Sequence, residues 1–555
     1  MSESEKSPIS YHTFLFPFRW EFPEVADEKL FMAELRRRLS EDWWSETASE
    51  REAAQARAWE QDNSERNKRY ATYQYLTGPA RRLAFVVDNE SDDGENSSRR
   101  EPKSKPKLKP VYHFAFRPNA DPEALKKRKY RIKKGDDTYE LDIRAIRLGV
   151  YNTGVATLIF ALEYHGVKHS SSGAASHAET AVTLEDINKI NEYGRRINLP
   201  YIADLTYRLT ADRIIIELED DAPGQPFFDD FDVENHPLSL TYVMTPIKKL
   251  LGLGAELQPL SDKGTQRANQ TYRITPAIDD RMYVVCLYKN DELIHQIKNT
   301  YAENDYSYLT DWQCAQRLYQ FAFIEKDCTC QSRNMIVKIL REVVYDRWIE
   351  YGTIHAATHH SLMMLTTTGA PSYVIDPFLT IYAEMAIIAL AQRATILKLS
   401  DQAAKIAEKY DPINGCDKKL RDEIAKLHDR HIRAENQMLL NEITTQEQGE
   451  EVFPMLQRGL FIERSREKLG QQLENLYAIA RDSYARGLEE TERRITKAML
   501  VLAALVVPGC WSALGISNAL FCDILPLPLW IWLVSGLSWA MLLVWYLWKD
   551  GGDRS

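Results

Sequence analysis

Between Lys497 and Lys549 the only charged side chain is Asp523. A helix needs roughly 20 consecutive apolar residues to cross a bilayer, and residues 498–520 and 525–548 each reach that length. The stretch therefore predicts a hairpin of two transmembrane helices at the end of a chain of 555 residues. Six of the twelve tryptophans (Trp511, Trp530, Trp532, Trp539, Trp545 and Trp548) fall in it. Most lie toward the ends of the second span, where amphipathic rings favour the membrane interface. Arg493, Arg494 and Lys497 precede the first span, Lys549 and Arg554 follow the second, and the loop at 517–528 has no Lys or Arg. By the positive-inside rule both termini are expected in the cytoplasm, with the two spans in the inner (cell) membrane.

The rest of the chain reads as an apparatus upstream of that hairpin. Hydrophobic residues make up 44%, enough for buried cores. The net charge of −10, from 70 basic and 80 acidic residues, gives no basis for direct DNA or RNA binding. Seven scattered cysteines, with Cys510 and Cys522 in or beside the membrane segment, imply no disulfide framework and fit a reducing compartment. The polar start Met1–Pro8 carries no secretory signal.

Residues 11–21 (YHTFLFPFRWE) alternate aromatic and polar side chains and predict a first strand. Residues 28–70 read as a charged helix with Trp43, Trp44 and Trp59 as packing residues, and residues 88–110 as a mobile linker too polar to bury. Short strands are expected at 111–116, 130–132, 139–148, 156–163, 213–218, 238–244 and 282–288, with a helix at 184–197. Polar loops are expected at 165–180 and 217–237. Strands interleaved with helices predict an α+β (α/β) cytoplasmic sensor domain over 1–372. From Leu318 onward the period turns helical, giving long antiparallel stalk helices over 373–497, a turn at Pro412–Gly415, the hairpin at 498–548 and a tail at 549–555. No breaker stronger than Gly intervenes between Pro454 and Pro508, so one helix of roughly 80 Å is expected there.

That helix carries an apolar seam at Leu469, Leu473, Leu476, Ala480, Tyr484, Leu488, Ile495, Met499 and Leu502. The seam fits packing on neighbouring helices of the same chain, or a bundle of identical helices around an axis. Two spans cannot enclose an aqueous path alone, so a pore would require a homo-oligomer.

Few patterns point to chemistry. His355, His359 and His360 place two imidazoles four apart, a metal-binding spacing if helical, yet Ala356 stands where a metalloprotease helix has its Glu base. Cys328 and Cys330 lack a second pair at finger spacing. Walker, nucleophile-elbow and dinucleotide fingerprints are absent, so nothing points to an enzyme. Tyr151, Asn152, Thr153 and Gly154 precede an apolar strand, with Arg144 and Arg147 upstream. The group reads either as a plain hairpin turn or as a ligand-binding turn offering amides and guanidinium groups to phosphate. In the first span Gly509, Ser512, Gly515, Ser517 and Asn518 lie toward the outer end, with Asp523 beyond. They fit a small-residue packing interface, or a pore lining of Ser512, Gly515, Ser517 and Asn518 with an acidic ring of Asp523.

This layout resembles the CorA family of divalent-cation channels and transporters: an α/β domain, a long stalk helix continuing into the first span, a short outer loop, a second span and a basic end. The family's Gly-Met-Asn signature corresponds to Gly515-Ile516-Ser517-Asn518, followed by Asp523 and Pro526. In the family that motif receives hydrated magnesium, so its degeneracy removes the basis for strict magnesium selectivity. The large N-terminal part, with YHTFLFPFRWE, resembles the divergent CorA-like proteins of type III CRISPR defence. That resemblance implies a pentamer in the lipid bilayer, opened by a small nucleotide second messenger, in some systems an S-adenosylmethionine–AMP conjugate (SAM-AMP). It also implies membrane permeabilisation as the output and a divalent cation among the ions to consider. A housekeeping Mg2+ transporter and a membrane-tethered interaction protein are the other readings of the same layout.

Overall fold

The computed structural model describes residues 7–21, 44–46, 71–85, 109–116, 128–170, 182–197, 210–217, 225–226, 273–279, 281–303, 307–411 and 416–518. The strands are β1 (Ser10–Glu21), β2 (Trp44–Glu46), β3 (Val111–Phe116), β4 (Lys129–Lys134), β5 (Asp137–Tyr151), β6 (Val155–Tyr164) and β7 (Lys168–Ser170). They continue with β8 (Arg213–Ile216), β9 (Gln225–Pro226), β10 (Arg273–Pro276), β11 (Tyr283–Lys289), β12 (Val344–Tyr345), β13 (Ile354–Ala357) and β14 (Ser361–Thr366). Helices α1 (Gly78–Ala84), α2 (Leu184–Gly194), α3 (Asp291–Glu303), α4 (Trp312–Phe323) and α5 (Arg333–Val343) come first. They are followed by α6 (Ser372–Ala407), α7 (Lys418–Gln437), α8 (Glu447–Gly459) and α9 (Ile462–Asn518). The chain is thus mixed α+β.

All of these strands join one sheet with the main order β12-β13-β14-β11-β1-β6-β5-β4-β8-β9, while β10 pairs with β1, β3 with β5 and β2, and β7 with β5. Neighbours run antiparallel except β11 and β14, which are parallel. The first strand is central because its aromatic alternation builds a wholly apolar face. Phe14, Phe16, Phe18 and Trp20 are at most 1% exposed. Val284, Cys286 and Tyr288 of β11 and Leu158, Phe160 and Leu162 of β6 share the same core. Helices α2 to α5 cover this face with Ile187, Ile190, Leu293, Ile297, Leu318 and Leu340. Alternate residues such as Leu15, Ile159, Val285, Leu287, Leu362 and Met364 are buried on the opposite face. There α6 lies against the sheet, with Glu384 accepting from Arg147 at 2.7 Å and Lys398 donating to the Gly154 carbonyl at 2.7 Å.

Strand β5 changes sides midway. Its register slips between Ile143 and Ala145, so Arg144 is an extra residue. Before the bulge Tyr139, Leu141 and Ile143 face the aromatic core, and after it Ile146, Leu148 and Val150 do. Arg147 and Tyr151 are thereby turned toward α6.

Helix α6 is the one helix among the described residues long and apolar enough to cross a membrane, and 67% of its most apolar window is buried inside the protein. That burial marks a core helix. A π-helical turn at Phe378–Tyr382 follows Pro377, whose missing N–H interrupts regular pairing. Buried Gln392 ties α6 to the segment after α7, donating to the Met438 and Leu440 carbonyls at 2.9 Å each.

The chain divides into two units, Met1–Lys405 with Lys426–Leu473, and Ile406–Ala425 with Glu474–Ser555. The first holds the sheet. In the second, the Ser483 hydroxyl accepts from the Cys416 N–H at 3.0 Å and donates to its carbonyl at 3.2 Å, and Lys409 pairs with Glu423 at 2.8 Å.

Several expectations are corrected. Residues after Leu318 are not uniformly helical, because β12, β13 and β14 intervene and complete the sheet. Trp44 sits in a strand, buried against Phe116, where a helix was expected. Pro454 lies inside α8; the break before the long helix falls at Phe461, which adopts a positive φ of 55°. The long helix then runs 57 residues, Ile462–Asn518, through Pro508. Most of the expected helix at 28–70, the linker at 88–108, the strand at 238–244, the turn at 412–415, Asp523 and the second span at 525–548 lie outside the described residues.

Packing between α2 and β1 is tight enough to test. A Cβ on Gly194 would meet Phe14 Cζ at 2.7 Å and Ile132 Cδ1 at 3.0 Å. Overpacking costs roughly 1–3 kcal/mol, against a helix-propensity gain of at most about 1 kcal/mol. Gly194→Ala is expected to lower the thermal unfolding midpoint, and a raised midpoint would contradict this packing.

Candidate functional site

The residues singled out around the β5–β6 turn do assemble. Arg147, Tyr151, Asn152 and Thr153 stand at one end of a hairpin, whereas Arg144 is the bulge residue further down β5. The turn is made by Gly154, whose φ of 75° suits glycine, with its N–H donating to the Tyr151 carbonyl at 2.9 Å. Its polar groups are engaged within the protein. Arg147 donates to Glu384, Asn152 Nδ2 to Gln437 Oε1 at 3.2 Å, and Thr153 Oγ1 lies 3.1 Å from Thr395 Oγ1. Burial raises the Tyr151 phenol beyond the usual range. The turn therefore fastens the sheet to α6.

Ser512, Gly515, Ser517 and Asn518 fall in the last turns of α9. Asp523 lies outside the described residues.

The three histidines occupy a strand and a turn, which corrects their expected helical spacing. His355 is in β13 and is buried among Tyr345, Phe378 and Tyr382, with ring centroids 5.6–5.9 Å away. A strand rises about 3.3 Å per residue, so extended geometry carries His355 away from the pair in the β13–β14 turn. No group of three potential metal ligands occurs among the described residues.

The turn brings His359 and His360 to a cluster that sequence spacing could not reveal. Helix α2 ends at Gly194, and Arg195 and Arg196 follow with only 2% and 5% exposure. Glu192, one turn back, accepts from Arg195 and, at 2.7 Å, from Arg196 Nη2. Arg196 also bridges by its backbone to Arg281, while the Met282 N–H donates to the Arg195 carbonyl at 2.7 Å. Arg281 Nη2 donates to Asp279 at 2.7 Å and lies 3.3 Å from His360 Nε2. His360 is thereby kept neutral. Burial, and then the positive charges of Arg195 and Arg281, push its pKa down to about 2. His359, exposed at the rim, is lowered by the same causes. Arg195 Nη1 and Arg196 Nε are buried with no hydrogen-bond partner. Such chemistry suits recognition of an anion. The Gly194-Arg195-Arg196 and His359-His360 doublets were the visible signals, 163 positions apart counting from Arg196 to His359.

A hydroxyl–imidazole–amide chain also runs through the core. Ser10 Oγ lies 2.8 Å from His12 Nε2, and His12 Nδ1 lies 2.7 Å from Asn191 Oδ1. Every member is fully buried. The chain locks α2 onto β1 and offers no atom to a substrate.

Buried histidines set an acid limit on stability. Burial lowers His355 to about 4 from an ordinary 6.5. Its neutral form is favoured by folding, so this contribution is complete above pH 6.5 and is lost as pH falls toward 4, in all about 3 kcal/mol. His355→Phe, which also removes the unpartnered buried Nδ1, is expected to flatten the decline of denaturant stability over that window. An unchanged slope would show that His355 is not buried neutral. Comparison of the chain with protein-family models, curated proteins and solved structures finds no match.

Proposed function

We propose that the chain is an oligomeric membrane channel of the divergent CorA-like kind, in which the sheet-bearing unit senses a small nucleotide messenger and the C-terminal hairpin conducts. The observation that carries this reading is α9. It begins among residues of the sheet-bearing unit and continues as one helix through the first apolar segment to Asn518, 57 residues or about 85 Å. A continuous helix is a direct mechanical link between a folded domain and a span.

The seam on α9 supports self-association. Leu469, Leu473, Leu476 and Ala480 are buried, but Tyr484, Leu488, Ile495, Met499 and Leu502 are 47–65% exposed. Their regular spacing along one stripe suits identical neighbours. In this reading the spans at 498–520 and 525–548 sit in the inner membrane with both termini in the cytoplasm. Ser512, Gly515, Ser517 and Asn518 line the axis, with Asp523 at its mouth, and five copies follow from the family resemblance. SAM-AMP or a related nucleotide opens the channel by binding the open arrangement more tightly, since equal affinity would shift nothing.

Two measurements test this. Leu488→Glu with Ile495→Glu is expected to reduce the oligomer to smaller species in native mass spectrometry of the detergent-solubilised protein, and an unchanged mass would remove the seam from the interface. In liposomes, nucleotide-dependent ion flux is expected, and Ser517→Ala, Asn518→Ala with Asp523→Asn should alter conductance. Background flux with every nucleotide and ion tried would overturn the channel reading; magnesium-selective flux that needs no nucleotide would indicate the housekeeping transporter.

A further inference from the structure

We propose that Arg195, Arg196, Arg281 and His360 form a receptor site for a phosphate-class oxyanion in the sheet-bearing unit. The inference goes beyond the channel reading, because every group belongs to that unit and the site stands whether or not the hairpin conducts.

Charge is the first ground. Among the described residues three guanidinium groups meet two carboxylates, Glu192 and Asp279. The C-terminal dipole of α2 adds a partial negative charge of roughly one half. Stabilising the end of one helix needs fewer cations than are gathered here.

Orphaned donors are the second ground. Arg195 and Arg196 are almost fully buried, yet Arg195 Nη1 and Arg196 Nε have no acceptor. A buried donor without an acceptor costs roughly 1–3 kcal/mol, more when charged, so each one calls for an explanation. Glu192 fixes both side chains by engaging their other nitrogens. One nitrogen on each arginine is therefore left unengaged on a side chain already held in place, as a charge-assisted contact to an oxyanion requires.

Access is the third. Arg281 and His360 have side chains 25% and 21% exposed, and His359 is exposed beside them. Neutral His360, whose Nε2 lies 3.3 Å from Arg281 Nη2, borders the cluster without burying another charge.

The test uses the full chain purified in detergent, with radiolabelled inorganic phosphate and pyrophosphate in equilibrium dialysis at constant ionic strength set by chloride. Saturable binding is expected, with an unfolding midpoint that rises with phosphate concentration by mass action. Arg281→Gln is expected to weaken binding about tenfold or more, the loss of one charge-assisted contact. Arg195→Lys keeps the charge but loses the fork, and should weaken it as well. Arg347→Gln, a change at the separate pair with Glu447 and Glu451, should leave it unaltered. Absence of saturable binding to the folded wild type overturns the site, as does binding that Arg281→Gln leaves intact. If Arg195→Lys fails to fold, Arg281→Gln decides alone. Liposome flux is scored separately, so loss of this site and loss of the channel reading remain distinguishable.

Discussion

The sheet-bearing unit depends on β1 being hydrogen-bonded along both edges. One edge pairs with β6 from Ser10 to Arg19, and the other with β11 and β10. Segments more than 100 residues downstream must therefore be in place before the first strand is satisfied. Both faces of this central strand are covered as well. The aromatic row Phe14–Trp20 is covered by α2 to α5, and Leu15 is buried on the side that α6 protects. Non-local pairing of this kind makes assembly slow in comparison with a local helical bundle. It also explains why one interior position, Gly194, has no room for a methyl group.

Local pattern revealed seven of the fourteen described strands, because those runs are rich in β-branched or aromatic residues and bounded by polar turns. Val111–Phe116 matches its expected bounds, and β4, β5, β6, β8 and β11 each appear where expected. The failures have physical causes. Strands β13 and β14 are apolar runs next to histidines and read equally well as helix; only pairing of β14 beside β11 decides for strand. The bulge at Arg144 leaves composition untouched while changing which residues face α6. Phe461 marks the start of α9 with a positive φ that no propensity scale assigns to phenylalanine.

The cationic cluster escaped notice for a different reason: its doublets stand in the sequence, but their proximity does not. Its members come from the end of α2, the start of β11 and the β13–β14 turn, and only the sheet order brings them together. By contrast, Arg147 and the Asn152–Thr153 turn were easy to notice and are engaged in packing. Polar residues beside an apolar strand are thus poor guides to a ligand unless their partners are known. Burial of an arginine with part of its fork unmatched is the more informative property, because it carries an energetic cost that local structure does not explain.

The length of α9 has a geometric corollary. An α-helix advances about 100° per residue, so inserting or deleting a single residue anywhere along it re-aims everything downstream by that angle while moving it only about 1.5 Å along the axis. Lengthening it by seven residues nearly restores the original azimuth, within about 20°. In a continuous helix such as Ile462–Asn518, whole heptads are therefore the change of length that least disturbs phase.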